Sequence, residues 1–268
     1  APAQLDGHII IVTGAGSGIG RGVALELAKR GAHLVLADIE EAGLHEVEKE
    51  FADNKCNPPL LVLGDQSKEA DVQATVTRTI KHFGGLDGVV INAGIGISDK
   101  LEDLDVEKWR RGLDINLSSA FMLTKEAMKV MRKQKMGGSL VYVASKNAFS
   151  PGAGFGGYSV SKAGMLQLMR IAALEGGNAG IRCNGINPDA VFDNSKLWAG
   201  GIREQRAAAH GVKPEDLEDF YASRNLLNAR VRSLDVARAA AFFLSDESSR
   251  TTGSVIAVDG GVAAAFPR

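Results

Sequence analysis

His8-Ile9-Ile10-Ile11-Val12-Thr13-Gly14-Ala15-Gly16-Ser17-Gly18-Ile19-Gly20 runs a β-branched stretch straight into a glycine-rich turn, and a helical pattern from Arg21 to Arg30 follows at once. The Ile/Val run has the character of a parallel strand buried on both faces. A glycine turn between strand and helix lets backbone approach a pyrophosphate, while the helix N-terminus adds N–H groups and positive potential. The glycines that fit are Gly14, Gly18 and Gly20, spaced G-x-x-x-G-x-G; G-x-G-x-x-G fails because positions 19 and 21 are Ile19 and Arg21. No Gly-Lys-Ser/Thr follows, so the turn is not a P-loop. Gly14, Ser17, Gly18, Ile19 and Gly20 are the candidate dinucleotide contacts.

The next strand, His33-Leu34-Val35-Leu36-Ala37-Asp38, ends in an acid eighteen residues past Gly20. An acid about twenty residues on stands where the adenosine ribose needs an acceptor. It would repel an adenosine 2′-phosphate, and neither Ser17 nor Ile39 is a cation that would welcome one. Asp38 could equally cap the helix after Glu40, and the two roles are compatible. The cofactor read from this pattern is NAD.

Strands are expected near 8–13, 33–38, 59–64, 87–92, 138–144, 181–187 and 254–258, and helices near 18–30, 40–53, 68–83, 105–135, 156–179 and 233–246. Such alternation gives a parallel sheet with right-handed crossovers and helices on both faces. The segment from Pro188 to Arg232 breaks the rhythm. It is polar and helix-prone, and Lys213-Pro214-Glu215-Asp216-Leu217 reads as a loop and a new helix start. Because it follows a strand's carboxyl end, where open α/β sheets bind ligands, it is expected to form a substrate lid over about 188–232 that closes out water.

Tyr158 and Lys162 stand four apart, so they lie one above the other on a helix face, and Ser145 stands thirteen residues upstream. Alone, Tyr-x-x-x-Lys is weak, since tyrosine usually packs and lysine is usually solvated. Brought together, the ammonium would lower the phenol pKa towards that of a general base, and the serine hydroxyl would hold a substrate oxygen. The set could take a proton from an alcohol or return one to a carbonyl.

These motifs resemble those of the classical short-chain dehydrogenase/reductases, over nearly the whole chain. Beside the glycine turn stand Asn92-Ala93-Gly94 after Gly88-Val89-Val90-Ile91, Asn116 in Asp114-Ile115-Asn116, the Ser145, Tyr158, Lys162 set, and the closing Gly253-Ser254-Val255-Ile256-Ala257-Val258-Asp259-Gly260-Gly261. The resemblance implies a single-domain Rossmann-type, doubly wound parallel sheet of seven strands spanning residues 1–268. It also implies that Lys162 holds the nicotinamide ribose, that Asn116 holds a water linking Lys162 to solvent, and that Asp65 lies near the adenine, although Asp65 could merely cap the next helix. Asn92, Ala93, Gly94, Tyr158, Pro188 and Val191 complete the implied cofactor set. Such enzymes are homo-oligomers, and a tetramer pairing helices 105–135 and 156–179 is expected, with Leu166, Leu168, Met169 and Ala172 needing cover beyond the sheet.

Where the family carries Pro-Gly and then threonine, this chain has Pro188-Asp189 and Asp193. Two carboxylates there, with Asn147 facing the cleft, suggest a polar, hydroxylated substrate touching Ser145, Asn147 and Asp189; Lys146 is expected at the surface. Ser145-Lys146-Asn147-Ala148, Asn187-Pro188-Asp189-Ala190-Val191 and the tail from Val258 to Arg268 are similar to the dehydrogenase half of bifunctional rhamnulose-phosphate aldolase/dehydrogenase proteins. That resemblance implies a lactaldehyde-like substrate from carbohydrate catabolism, oxidised as its hydrate, in a protein fused to or working with an aldolase. Polyol or aldose oxidation is the alternative, and a non-catalytic dinucleotide-binding protein is the reading from another class. An epimerase or dehydratase would need a different glycine turn and a longer chain. The tail, Phe266-Pro267-Arg268, could bring Arg268 to a neighbouring subunit's cleft.

Composition agrees. A chain of 268 residues with 45% apolar residues can build one full α/β core. A net charge of −1 gives no case for nucleic acid or anionic membrane, and no apolar run approaches a membrane span. Cys56 and Cys183 are too few for a disulfide framework, and with no signal peptide before the first strand the expected location is cytoplasmic. Ala1-Pro2-Ala3 looks like a linker remnant or trimmed start. The histidines and cysteines lack metal-ligand spacing, so no metal is expected.

Overall fold

A computed structural model of the chain describes residues 4–266; the expected linker remnant Ala1-Pro2-Ala3 lies outside them. Seven strands form one parallel sheet: β1 (Ile9–Thr13), β2 (His33–Asp38), β3 (Leu60–Leu63), β4 (Gly88–Ile91), β5 (Gly138–Val143), β6 (Ile181–Pro188) and β7 (Val255–Val258). Their order is β3-β2-β1-β4-β5-β6-β7. Among the described residues nine α-helices connect and cover them: α1 (Gly18–Lys29), α2 (Glu41–Asp53), α3 (Glu69–Phe83), α4 (Val106–Leu113), α5 (Ser119–Gln134), α6 (Gly156–Gly176), α7 (Ile202–His210), α8 (Leu217–Ser223) and α9 (Ser233–Leu244).

Successive strand residues point to opposite faces, and each face has its own core. Ile10, Val12, Leu34, Leu36, Val90, Val141 and Ile186 pack with Val23 and Leu27 of α1, Phe51 of α2 and Phe243 of α9. Ile11, Val35, Val62, Val89, Ile91, Leu140 and Cys183 pack on the other side, with Val76 of α3, Leu123 and Met131 of α5, and Met165 and Met169 of α6. Each buried Leu or Phe side chain contributes about 1.5–3 kcal/mol relative to exposure. The doubly wound sheet with helices on both faces is therefore the fold of this chain, as its β-branched runs predict. Parallel β6 and β7, in register from Gly185↔Val255 to Pro188↔Val258, close one edge.

Two expectations need correction. The helix expected over 105–135 is interrupted by a π-helical turn, Asp114–Ser118, between α4 and α5. An i→i+5 turn inserts one residue and shifts the helix phase without altering its apolar period, so the sequence pattern does not announce it. On α6, Leu166 (2% exposed), Met169 (0%) and Ala172 (3%) are already buried against the sheet, and Leu168 is partly packed on the same core. They need no cover from a second subunit. The apolar side chains that α5 and α6 leave exposed are Phe121, Val160, Ile171 and Leu174.

Candidate active site

The strand order reverses between β1 and β4, and open α/β sheets bind ligands beyond the carboxyl ends at that point. Here the two strand ends are stitched together. The Asn92 amide donates to the carbonyls of Thr13 (2.9 Å) and Gly14 (3.3 Å), while Thr13 Oγ1 accepts from the N–H groups of Asn92 (3.1 Å) and Ala93 (3.2 Å). Asn92 is thus first a structural clasp. The turn itself requires glycine. Gly14 (φ +63°) and Gly18 (φ +50°) are left-handed, and a Cβ on Gly20 would stand 2.0 Å from the Gly14 carbonyl oxygen. Asp38 sits at the end of β2 and binds this turn directly, its Oδ2 accepting from Gly16 N–H at 2.8 Å and its Oδ1 from Glu40 N–H at 3.0 Å. The Gly18 N–H does not point to open space, because it donates to the Asn194 carbonyl at 2.7 Å. The loop after β6 therefore crosses the start of α1, whose N-cap residue Ser17 makes no capping hydrogen bond with its side chain.

Asp65 is committed locally. Its Oδ1 accepts from the Ser67 N–H (3.0 Å) and hydroxyl (2.7 Å), and that hydroxyl bond is the main reason its carboxyl pKa is held low. It shapes the turn into α3, and it does not line the cleft described next.

One cleft brings together Ile19, Asn92, Gly94, Ser145, Asn147, Tyr158, Lys162, Pro188, Asp189 and Val191 from five stretches of chain. Ser145 stands two residues beyond the end of β5 and caps a 3₁₀ turn, its hydroxyl accepting from Asn147 N–H at 3.2 Å. Tyr158 and Lys162 share one face of α6 as their spacing requires, with the Lys162 Nζ 5.8 Å from the Tyr158 ring centre. That ammonium donates to the Val143 carbonyl at 2.9 Å. Asn116 is fully buried behind it. Its side chain pairs with both backbone groups of Ile95 (2.8 and 3.0 Å) and donates to Ser161 Oγ at 3.1 Å, so it does not bond its own helix backbone. Around Gly94 the two groups meet: a Cβ there would lie 3.1 Å from Asn116 Oδ1 and 3.5 Å from Lys162 Nζ.

The electrostatics differ from the expectation that Lys162 lowers the phenol pKa. Burial pushes Tyr158 up to about 12, offset in part by its hydrogen bond with Ser145 and increased by the Asp189 charge. Burial also pushes Lys162 down to about 8. In the protein without ligand, desolvation governs both groups, because each is taken almost wholly out of water.

Several residues at the far end of the cleft were not singled out by the sequence or were placed differently. Lys146 is buried (8% exposed), not at the surface, and donates to the Ser150 carbonyl at 3.1 Å. Asp189 lines the cleft, but its carboxylate is paired with Arg224 at 3.2 Å and lies close enough to Lys146 to feel its charge. Asp193 is not at the mouth. It caps α9, accepting from Ser233 N–H at 3.0 and 3.1 Å and from the Ser233 hydroxyl. A partner forty residues away leaves no local signal. The walls are aromatic: Phe155 stacks on Tyr158 (4.6 Å between ring centres), and Trp198 and Tyr221 come from the 188–232 segment, where Trp198 stacks on Phe192 at 4.1 Å. Arg206 of α7 joins them. Pro267 and Arg268, expected to reach a neighbouring cleft, lie outside the described residues. Among the described residues no group of three or more His, Cys, Asp or Glu side chains could hold a metal ion, and no helix is long and apolar enough to cross a membrane.

Comparison with known proteins adds four findings. Residues 14–263 match the family model described as enoyl-(acyl carrier protein) reductase. The chain is 38% identical over 267 residues to the uncharacterized oxidoreductase YuxG of Bacillus subtilis, covering 99% of this chain but only 39% of that protein. It is 35% identical to the cis-4-hydroxycyclohexanecarboxylate dehydrogenase of Sinomonas cyclohexanicum, covering 96% of this chain and 97% of that one. The crystal structure of levodione reductase superimposes with a TM-score of 0.89 at 30% identity, over 97% of this chain and 99% of that one.

Proposed function

Because the chain belongs to the short-chain dehydrogenase/reductase family of oxidoreductases, we propose that it is an NAD-dependent dehydrogenase of small hydroxylated aldehydes or alcohols derived from sugars. Lactaldehyde-like compounds are the leading candidates, with polyols and aldoses as the second group. The observation that carries this reading is the meeting of Ser145, Tyr158 and Lys162 in one cleft beyond the carboxyl ends of β1, β4 and β5. The turn fits a dinucleotide, since Gly14, Gly18 and Gly20 leave no room for a side chain and let backbone approach the ligand closely: a Cβ would stand 2.9 Å from the Asn92 amide nitrogen, 3.2 Å from Ser195 and 2.0 Å from the Gly14 oxygen respectively. Gly14, Ser17, Ile19 and Gly20 would hold the pyrophosphate, and Asn92, Ala93, Gly94, Pro188 and Val191 the nicotinamide end. The choice of NAD is supported by Asp38, whose carboxylate on Gly16 N–H would face an adenosine 2′-phosphate.

When bound, NAD supplies the hydride acceptor. The chain's own residues handle the proton and the oxygen. Ser145 Oγ holds the substrate oxygen, and Tyr158 in its phenolate form takes the hydroxyl proton as general base. Lys162, anchored on the Val143 carbonyl, keeps a positive charge behind the phenol and hands the proton on, while Asn116 fixes the Ile95 backbone beside it. A hydrated aldehyde presents the same hydroxyl to Tyr158 as an alcohol does. The 188–232 segment, with Trp198 donating to the Val191 carbonyl at 2.8 Å, serves as the lid that excludes water.

The aldolase partnership suggested by the three resembling segments belongs to the same proposal, as does a symmetric homotetramer built on the exposed Phe121, Val160, Ile171 and Leu174 of α5 and α6. Both cofactors should be assayed against lactaldehyde, short polyols, aldoses and alkyl alcohols, reading the absorbance of the reduced nicotinamide. Lactaldehyde-like compounds or short sugars should give the higher kcat/KM with NAD. Equal or better turnover of an unsubstituted fatty alcohol of similar length would contradict the substrate class. A monomer by light scattering at micromolar concentration would contradict the tetramer.

A further inference from the structure

We infer that the far end of the cleft, beyond Asn147, is an anion subsite built on Arg206, and that it takes the carboxylate of a small hydroxylated substrate whose alcohol lies at Ser145 and Tyr158. The inference rests on the dehydrogenase reading and narrows its substrate from neutral aldehydes and polyols to a short hydroxy acid.

Arg206 is a buried cation (5% exposed) that lines the cleft from α7. Its Nη1 donates to the Ala153 carbonyl at 3.0 Å and its Nη2 to His210 Nε2 at 3.1 Å, but its Nε has no partner. No carboxylate among the described residues pairs with it; the nearby Asp189 is paired with Arg224. A buried charge without a counter-charge is costly, and truncating a partner of a buried pair reveals that cost. A guanidinium left in this state fits a planar oxyanion brought by a ligand, because its N–H fork matches a carboxylate edge.

The surrounding charges point the same way. Lys146 lies within electrostatic reach of Arg206, Arg224, Asp189 and Asp259, so that with Lys146 itself three cations stand against two carboxylates. His210 does not change that balance. Burial and then the charges of Arg206, Arg224 and Lys146 push it down to about 4, so at neutral pH it is an uncharged acceptor for Arg206. One surplus positive charge suits a monoanion, hence a carboxylate in preference to a phosphate dianion.

The spacing suits a small molecule. The Arg206 guanidinium carbon is 5.2 Å from the Phe155 ring centre, and that ring is 4.6 Å from the Tyr158 ring. A Cβ on Gly152 would lie 3.2 Å from Arg206 Nη2 and 4.0 Å from Asn147 Oδ1, so both groups border the same point. A short hydroxy acid could lie between Phe155 and Trp198 with one end at each group.

The test compares short-chain hydroxy acids with neutral polyols of matching length on the wild type, Arg206→Gln and Arg206→Lys. The wild type should prefer the acids. Arg206→Gln should lower the acid-to-neutral ratio of kcat/KM by about 10- to 100-fold, the worth of a charge-assisted hydrogen bond, mainly through KM, and Arg206→Lys should recover part of it. Should Arg206→Gln fail to fold, the wild type still decides: a carboxylate lacking the reactive hydroxyl should inhibit competitively, and more strongly than inorganic phosphate. No acid preference in the wild type, an unchanged ratio in Arg206→Gln, or stronger inhibition by phosphate would overturn the subsite as stated. Absence of turnover with any hydroxylated compound and either cofactor would overturn the dehydrogenase reading instead.

Discussion

Replacing Lys162 by Met should remove activity while sparing, or even raising, stability at neutral pH, and the effect should depend on pH in a defined way. Lys162 is 3% exposed, and burial moves its ammonium from the usual 10.5 down to about 8. At about 1.4 kcal/mol per pKa unit, the folded protein carries a penalty of about 3 kcal/mol at pH 7 for keeping that group charged. The sign follows from proton binding. Between the folded and unfolded pKa values the unfolded chain binds more protons, so the wild type gains stability as pH rises from about 8 towards 10.5, and below pH 8 the penalty is fully present. Methionine has a similar length and no charge, but it leaves the Val143 carbonyl without its donor, a loss of about 1–3 kcal/mol. The two terms nearly cancel at pH 7. Between pH 7 and pH 9.5 the wild type alone should recover about 2 kcal/mol. Tyr158 remains in both proteins, so its own titration drops out of the difference. Urea unfolding of both proteins at the two pH values measures it. A stability difference between wild type and Lys162→Met that does not move with pH would refute the claim that Lys162 is held charged at a desolvation cost.

Three further outcomes follow from named contacts. Asp38→Ala should narrow the preference for NAD over its 2′-phosphorylated form, measured as the ratio of kcat/KM values; it also frees the Gly16 N–H, so the KM for NAD should rise as well. Asp193→Ala should destabilise the protein by about 1–2 kcal/mol through loss of the α9 cap, read by urea unfolding. Gly20→Ala should disrupt the turn and abolish NAD binding, since its methyl would meet the Gly14 carbonyl at 2.0 Å; calorimetric titration with NAD checks this.

The fold was legible because its signals are local. Ile9 to Val12 and Leu34 to Ala37 announce two-face burial, and Gly14, Gly18 and Gly20 mark a turn that no other residue could make. The positions of Ser145, Tyr158 and Lys162 follow from helix spacing and strand ends. What escaped the sequence depends on neighbours brought in by the fold. Lys146 and Arg206 look like surface cations until the fold brings Lys146 within reach of Asp189 and Arg224 and sets Arg206 over Phe155. Asp193 resembles a free acid until α9 presents Ser233. Leu166, Met169 and Ala172 exceed in the sequence what one sheet is expected to cover, because the width of the buried face of α6 cannot be read from its period. The pKa of Tyr158 escapes the sequence for the same reason: the sequence shows a nearby lysine, whereas the structure shows how little water either group retains.

The most direct measurement is the rate of NAD reduction by Tyr158→Phe, made alongside calorimetric titration with NAD. Phenylalanine keeps the stack on Phe155 and the fit of α6, and it removes only the hydroxyl that faces Ser145. Tyr158→Phe should bind NAD nearly as the wild type does and turn over the best substrate about 10²- to 10⁴-fold more slowly, the range expected for loss of a general base. A wild-type rate in that variant would contradict the assignment of Tyr158 as the proton acceptor, and with it the mechanism proposed for this cleft.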